Sequence, residues 1–409
     1  MKRNATGWIL ALGLASACTG EPPAPPVALG EVNSPAGPGS GEPFVSTADG
    51  AVYMSWIEAA RGGHELRFSR WEGGGWTDPR AIVWSDGFFV NWADFPSVTA
   101  TSDGALWAHW LQRGEAGGYD YGIRITHSID GGETWAEAWT PHQDGTPTEH
   151  GFVSTVPMGD DVGFVWLDGR SFVDASDGRA ATEETALYFR TTRLDGTHGP
   201  ETLVDGRVCD CCQTDAAVTS SGPVVAFRDR SPEEIRDIRV ARWLDGAWTP
   251  GVLVHEDGWE TAACPVNGPA VAAQGELVAV AWFSAAGDVP RVKVAFSDDA
   301  AESFGPPITV DLGNPAGRVD LLMVEDGSVL VSWLERMGGD WADVVVRAID
   351  FGGGMSDAVS VSASSSERAS GFPRMARAGD GSVLIAWTDV AGLQPQIRVG
   401  RLAFAAEAR

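Results

Sequence analysis

The sequence predicts an all-β protein folded as a β-propeller of seven four-stranded blades, and three observations carry that prediction. The 409 residues include 51 Gly, 24 Pro and 18 Trp spread from end to end, with few runs of good helix formers. A single strand pattern recurs seven times at near-constant spacing. Each copy also sits between the same kinds of short strand and turn. Six blades are the alternative if the first or last unit is incomplete.

The recurring pattern is an alternating apolar strand around a central aromatic, often followed two residues later by an acid. In order, the copies are VYMSWIE (52–58), LWAHWLQ (106–112), VGFVWLD (162–168), VVAFRD (224–229), VAVAWFS (278–284), VLVSWLE (329–335) and VLIAWTD (383–389). Their central aromatics are Trp56, Trp110, Trp166, Phe227, Trp282, Trp333 and Trp387, at intervals of 54, 56, 61, 55, 51 and 54 residues. Period-2 alternation around a bulky inward residue is the signature of a half-buried antiparallel strand. Before each copy lies a short strand ending in a turn, such as PSVTATSDG (96–104). After it come a loop, a third strand, a Gly-rich turn and a short apolar strand, which makes one propeller blade. The last unit ends at its third strand, QIRVGRLAF (396–404), so the segment near Val27–Val32 is expected to supply the missing outer strand and close the ring. The acids Glu58, Asp168, Asp229, Glu335 and Asp389 either ring the channel mouth or are solvated strand ends.

Residues 1–17 have the layout of a secretory signal: Lys2 and Arg3, then the apolar stretch Trp8–Leu14, then small residues. The ending Leu14-Ala15-Ser16-Ala17-Cys18 resembles the lipobox of bacterial lipoproteins, which implies cleavage before a lipid-modified Cys18 and delivery to the cell envelope, outer membrane included. Residues 18–40 are rich in Pro and Gly and read as a tether, and 41–409 as the propeller. Cleavage would leave 27 bases against 56 acids, a formal charge of −29. So acidic a surface repels phosphate backbones and excludes nucleic acid as a partner. The only expected contact with a membrane is through the lipid, and the expected state is a monomer.

The turn Ser128-Ile129-Asp130-Gly131-Gly132-Glu133-Thr134-Trp135 resembles the Asp-box of sialidases and related BNR-repeat propellers, with Ser128, Asp130, Gly132 and Trp135 at its key positions. Ser297–Phe304 is a degraded copy in which Ala301 stands where Gly is expected. The resemblance implies a structural role for this turn, on the face opposite the functional one. It also implies a sialidase-type site: an arginine cluster for a substrate carboxylate, an acid, and a Tyr nucleophile paired with Glu. The residues available are Arg170, Arg228, Arg230, Arg318 and Arg374, with Asp168, Asp229 and Glu234 as acids. The family's early Phe/Tyr-Arg-Ile-Pro motif is absent. Only four Tyr exist, and nothing pairs one with a Glu.

Propeller geometry places the between-blade loops and the loops after each second strand on one face. These loops carry Trp92 and Asp94, His150, Asn267, and all four cysteines after Cys18: Cys209, Cys211, Cys212 and Cys264. In an exported protein, four cysteines form disulfides, with Cys264 bridging to one thiol of Cys-Asp-Cys-Cys, or they hold a soft metal such as copper or zinc, with His150 or Asp210 completing the set. Trp92 offers an exposed ring for stacking on a sugar. The remaining histidines, His142 among them, show no metal-type pairing. Two functions follow. One is a lipid-anchored protein binding a metal, glycan or small molecule on its Cys-lined face. The other is an exo-α-sialidase-type glycoside hydrolase.

Overall fold

The computed structural model describes residues 23–174, 180–324 and 327–404. The signal-like segment and Cys18 lie outside them. Seven antiparallel sheets are arranged around a ring. The second strand of each sheet is one of the seven sequence copies: Ala51–Ala60, Leu106–Arg113, Asp161–Asp168, Gly222–Arg228, Leu277–Ser284, Val329–Gly338 and Val383–Asp389. The innermost strands are Ser40–Ala48, Ser97–Ala100, His150–Met158, Asp215–Thr219, Ala270–Gln274, Pro315–Met323 and Arg374–Arg377. Helix is confined, among the described residues, to three single-turn 3-10 segments.

Pro26–Val32 pairs with Gln396–Phe404 and forms the outer strand of the seventh blade. The ends of the chain are thus sewn together in one sheet, which closes the ring by hydrogen bonds between them. Part of the segment assigned to a tether is therefore in the propeller. Blade 2 departs from four strands: its outer edge is reduced to a single bridge between Ile125 and Trp139.

All seven central aromatics are buried, at 6% exposure or less. They fill the wedges between adjacent sheets, where each ring removes the area of two or three aliphatic side chains from water. The acid two residues on has a more local purpose than the sequence suggested. Positions i and i+2 of a strand share a face, so in blades 1, 3 and 6 the acid meets the indole N–H of its own Trp. In blade 7, by contrast, Asp389 pairs with Arg398, and the buried Trp387 Nε1 has no hydrogen-bond partner among the described residues. Trp56 Nε1 donates to Glu58 at 3.0 Å, Trp166 to Asp168 at 2.8 Å and Trp333 to Glu335 at 2.7 Å. In blade 5 the acceptor is Asp257 from the preceding loop, 2.6 Å from Trp282 Nε1. A base on the neighbouring strand then offsets the carboxylate, as Arg67 does for Glu58 at 3.1 Å and Lys293 for Asp257. A buried indole N–H is costly unless paired, and this arrangement satisfies it in blades 1, 3, 5 and 6.

The turn at Ser128–Trp135 is closed by Asp130, which accepts from Ser128 Oγ at 2.7 Å and from Thr134 N and Oγ1 at 3.0 and 2.6 Å. Trp135 packs edge-on against Phe68 of the preceding blade, 5.9 Å between ring centres. The degraded copy makes the same bonds through Asp299, to Ser297 at 2.7 Å and to Ser303 N and Oγ at 2.9 and 2.6 Å. Gly132 sits at φ +85°, and a Cβ there would lie 2.3 Å from the Phe68 ring. Gly132→Ala is therefore expected to lower unfolding free energy by about 2–3 kcal/mol, from left-handed strain plus overpacking, read by urea denaturation.

Candidate functional site

The loop Asn91–Phe95, between blades 1 and 2, reaches across the ring. Gln213 Nε2, from the loop before blade 4, donates to Ala93 O at 2.9 Å. Trp92 stacks on Phe372, from the loop before blade 7, at 5.8 Å between centres and 11° between planes. The Arg318 guanidinium lies 4.9 Å from the Trp92 ring centre. Trp92 is thus half-buried in a stack that bridges the channel mouth, not the open platform its sequence position suggested. Asp94 is buried beneath it, accepting from Phe152 N at 2.6 Å and Tyr121 Oη at 3.0 Å.

The arginines implied by the sialidase resemblance are bound to the protein itself. Arg228 is 2% exposed; its guanidinium donates to Asn267 O at 2.8 and 2.9 Å, Phe283 O at 2.7 Å and Arg236 O at 2.5 Å. Arg318 donates to Ser370 Oγ, Gly371 O and Ser366 O, and burial, then the charges of Arg336 and Arg368, pull it down to about 10. Arg374 pairs with Asp320 at 3.1 Å. Arg170 forks onto Asp168 and reaches Glu201, each at 2.6 Å, while covering the Tyr188 ring. Arg230 pairs with Glu234 at 2.9 Å, and Asp229 with Arg239 at 2.6 Å. Asn267 Oδ1 accepts from Arg318 N at 2.7 Å. Arg228 and Arg318 meet at Asn267, and Arg318 and Arg374 both lie over the cluster of Trp92, Phe95 and Phe372, while Arg170, Arg230 and Asp229 are held in ion pairs of their own.

His150 joins a cluster that the sequence did not foresee. Its ring stacks on His142 at 3.8 Å, and Asp144 lies 3.1 Å from His150 Nε2 and 3.7 Å from His142 Nδ1. Both nitrogens of His150 face acceptors, Thr148 O and the Asp144 and Asp168 carboxylates. Burial opposes its charge, but those carboxylates raise its pKa. His142 Nε2 accepts from Ile123 N at 3.2 Å, which leaves the proton on Nδ1, toward Asp144. The pair is a hydrogen-bonded brace between blades 2 and 3. With Asp144 it forms a group of possible metal ligands separate from the two cysteine groups, so His142 does have a metal-type pairing that the sequence did not show.

The cysteines do come together, from two loops on either side of blade 4. Cys209 and Cys212 have their sulfurs 2.8 Å apart, and Cys209 and Cys211 3.8 Å. Cys211, Asp210 and the exposed Cys264 form a second group, each presenting an atom within 4.8 Å of the others. None of the four is at disulfide distance, so the bridge from Cys264 to the Cys-Asp-Cys-Cys run is not formed. Arg236 Nη1 lies 3.3 Å from Cys209 Sγ and 3.6 Å from Asp210. Burial opposes a Cys209 thiolate, yet contacts with Cys211 and Cys212 and the Arg228 charge hold its pKa well below the usual thiol range. Arg236 was missed in the sequence because nothing in Glu-Ile-Arg ahead of a strand marks a thiol partner.

Two acids near this face, the buried Asp94 and the half-buried Glu149, have raised pKa values. Burial lifts Asp94 to about 7 against its two hydrogen bonds, and burial followed by the Asp210 charge lifts Glu149 to about 7. Between the ordinary carboxylate range and pH 7 the folded chain binds more protons at these sites than the unfolded chain. Their contribution to stability is therefore full at low pH and lost as pH rises through 7. The thermal midpoint is expected to be higher at about pH 5.5 than at about pH 8, with a smaller difference in Asp94→Asn. Scanning calorimetry across that range checks it.

No family model matches the chain, and no curated protein matches it. The fold is shared with solved structures at low identity. A Dyadobacter fermentans protein of unknown function is 14% identical with a TM-score of 0.53, covering 93% of this chain and 98% of its own. The polysaccharide lyase Uly1 is 11% identical with a TM-score of 0.52, covering 89% and 90%. The endosialidase of phage phi92 is 10% identical with a TM-score of 0.50, covering 94% and 70%. The chain is thus a seven-bladed propeller whose structural neighbours include sialidases and polysaccharide lyases.

Proposed function

We propose that the protein is an exported propeller, anchored to the cell envelope through a lipid on Cys18, that binds a soft metal ion at the thiol group of Cys209, Cys211, Cys212 and Cys264. The observation that carries this is the meeting of four thiols and Asp210 from two separate loops without a disulfide distance among them. Thiolates select copper(I) or zinc, and Arg236 offsets the charge of a metal–thiolate centre. Protein purified without chelator is expected to carry metal in proportion to chain, with the metal lost in Cys211→Ser. An intact mass lighter by four protons with no bound metal would show two disulfides and overturn the reading. Loss of palmitate labelling in Cys18→Ser tests the anchor.

A glycan-active propeller is the second reading, supported by the neighbours named above and by one surface feature. A groove of about 580 Å³ is lined by Trp71, Trp76, Asn33, Ser34 and Asp78. An aromatic wall with polar groups around it suits a sugar face. Binding to a glycan panel, lost in Trp76→Ala, supports this reading; release of methylumbelliferone from a sialoside supports the hydrolase form of it.

A further inference from the structure

We propose that the thiol group is an exchange site for copper(I), in which Cys264 carries the metal between solvent and a buried holding set of Cys209, Cys211 and Cys212. This inference rests on the thiol-site reading above and adds a direction of transfer to it.

The cysteines form two overlapping sets that share one sulfur. Cys209, Cys211 and Cys212 make the inner set, and Cys211 with Cys264 and Asp210 makes the outer one. Accessibility falls steadily along this path. Cys264 is exposed, Cys211 is half-buried, and Cys209 and Cys212 are 1% and 2% exposed. The two loops are fixed relative to one another, because Gly268 N donates to Gln213 Oε1 at 3.1 Å and Arg228 binds Asn267 O while its own carbonyl accepts from Cys209 N at 2.9 Å. The two cysteine loops are therefore tied to each other by the protein's own hydrogen bonds.

Sulfur-only sets suit copper(I), which is stable with two or three thiolates and needs no fourth ligand. The positive charge beside the inner set, Arg236 at 3.3 Å from Cys209 Sγ, favours the anionic copper–thiolate centre there. Cys264 has instead the Asp210 carboxylate 3.7 Å from its sulfur. The inner set is thus the tighter station and the outer one the weaker.

Transfer outward proceeds by ligand exchange. The Cys264 thiol gives its proton to Asp210 and forms a bond to copper, as the Cu–S bond to Cys212 breaks. The freed Cys212 thiolate takes up the proton that Asp210 received, so none is gained or lost, and Cys211 remains bound throughout. Copper stays in the +1 state, so no oxidant or reductant is required. Loading is the reverse.

The test uses the soluble mature chain, loaded anaerobically with copper(I) as its bicinchoninate complex, with bathocuproine disulfonate added to take the metal away. The wild-type chain is expected to hold one copper. Cys264→Ser should still take up copper on the inner set, while release slows about tenfold or more. Cys212→Ser should lose at least about 100-fold in affinity. Thermal melts of each variant, and Cys212→Ala alongside, separate loss of ligand from loss of fold. Wild-type release rates from copper-loaded Cys264→Ser overturn the exchange role alone. A wild-type chain that holds no copper overturns the site itself.

Discussion

Arg228→Met is expected to destabilise the protein by about 3–5 kcal/mol, because it removes the four hydrogen bonds that a buried guanidinium makes to three backbone carbonyls. Those carbonyls belong to Asn267, Phe283 and Arg236, in three different segments, and the Trp259 ring covers the guanidinium at 4.9 Å. Methionine keeps much of the volume but offers no donor. Arg228→Lys should recover part of the loss, since an ammonium reaches one or two of the carbonyls but not the whole fork. Urea denaturation followed by Trp fluorescence measures both. A change below about 1 kcal/mol in Arg228→Met would show that the site is hydrated or rearranged. The result also bears on assays of activity: loss of turnover in an Arg228 variant would report a disrupted blade junction, whereas a true substrate arginine leaves stability nearly intact.

Gly268→Ala should be at least as damaging. An added Cβ would sit 1.9 Å from the Gln213 carbonyl oxygen and 2.8 Å from its nitrogen, both backbone atoms that cannot swing aside. Relief requires the loop carrying Cys264 to part from the loop carrying Cys212. The expected cost is about 3 kcal/mol or more. Where the variant still folds, the two halves of the thiol group separate, so metal retention should fall before global unfolding begins. Parallel measurement of bound metal and of the urea midpoint distinguishes the two effects. Equal stability of Gly268→Ala and wild type would contradict the close approach of these loops.

The candidate site was legible in uneven parts. Cys209, Cys211, Cys212 and Cys264 could be brought to one face from the blade repeat alone, because loop position follows strand number in a propeller. Arg228, Arg318 and Arg374 could not be judged this way. A charged residue at a strand end or in a loop reads the same whether it faces a substrate or a neighbouring carbonyl, and only the packing of adjacent blades shows the latter. Trp92 is similar: its loop position suggested exposure, but Phe372, 280 positions along the chain, supplies the stacking face. His142 carries no sequence mark, because its partner His150 belongs to the next blade.

By itself the sequence determined the all-β class, the seven repeats and the closing strand at Pro26–Val32. Those features come from local periodicity, which repeats identically in each blade and needs no knowledge of distant contacts. Tertiary structure alone decided that the channel mouth is bridged by the Trp92 loop, that the buried arginines serve the backbone, and that the four thiols meet without forming a disulfide. Each of these depends on side chains from different blades, whose separation is fixed to a few tenths of an ångström by core packing that periodicity does not encode.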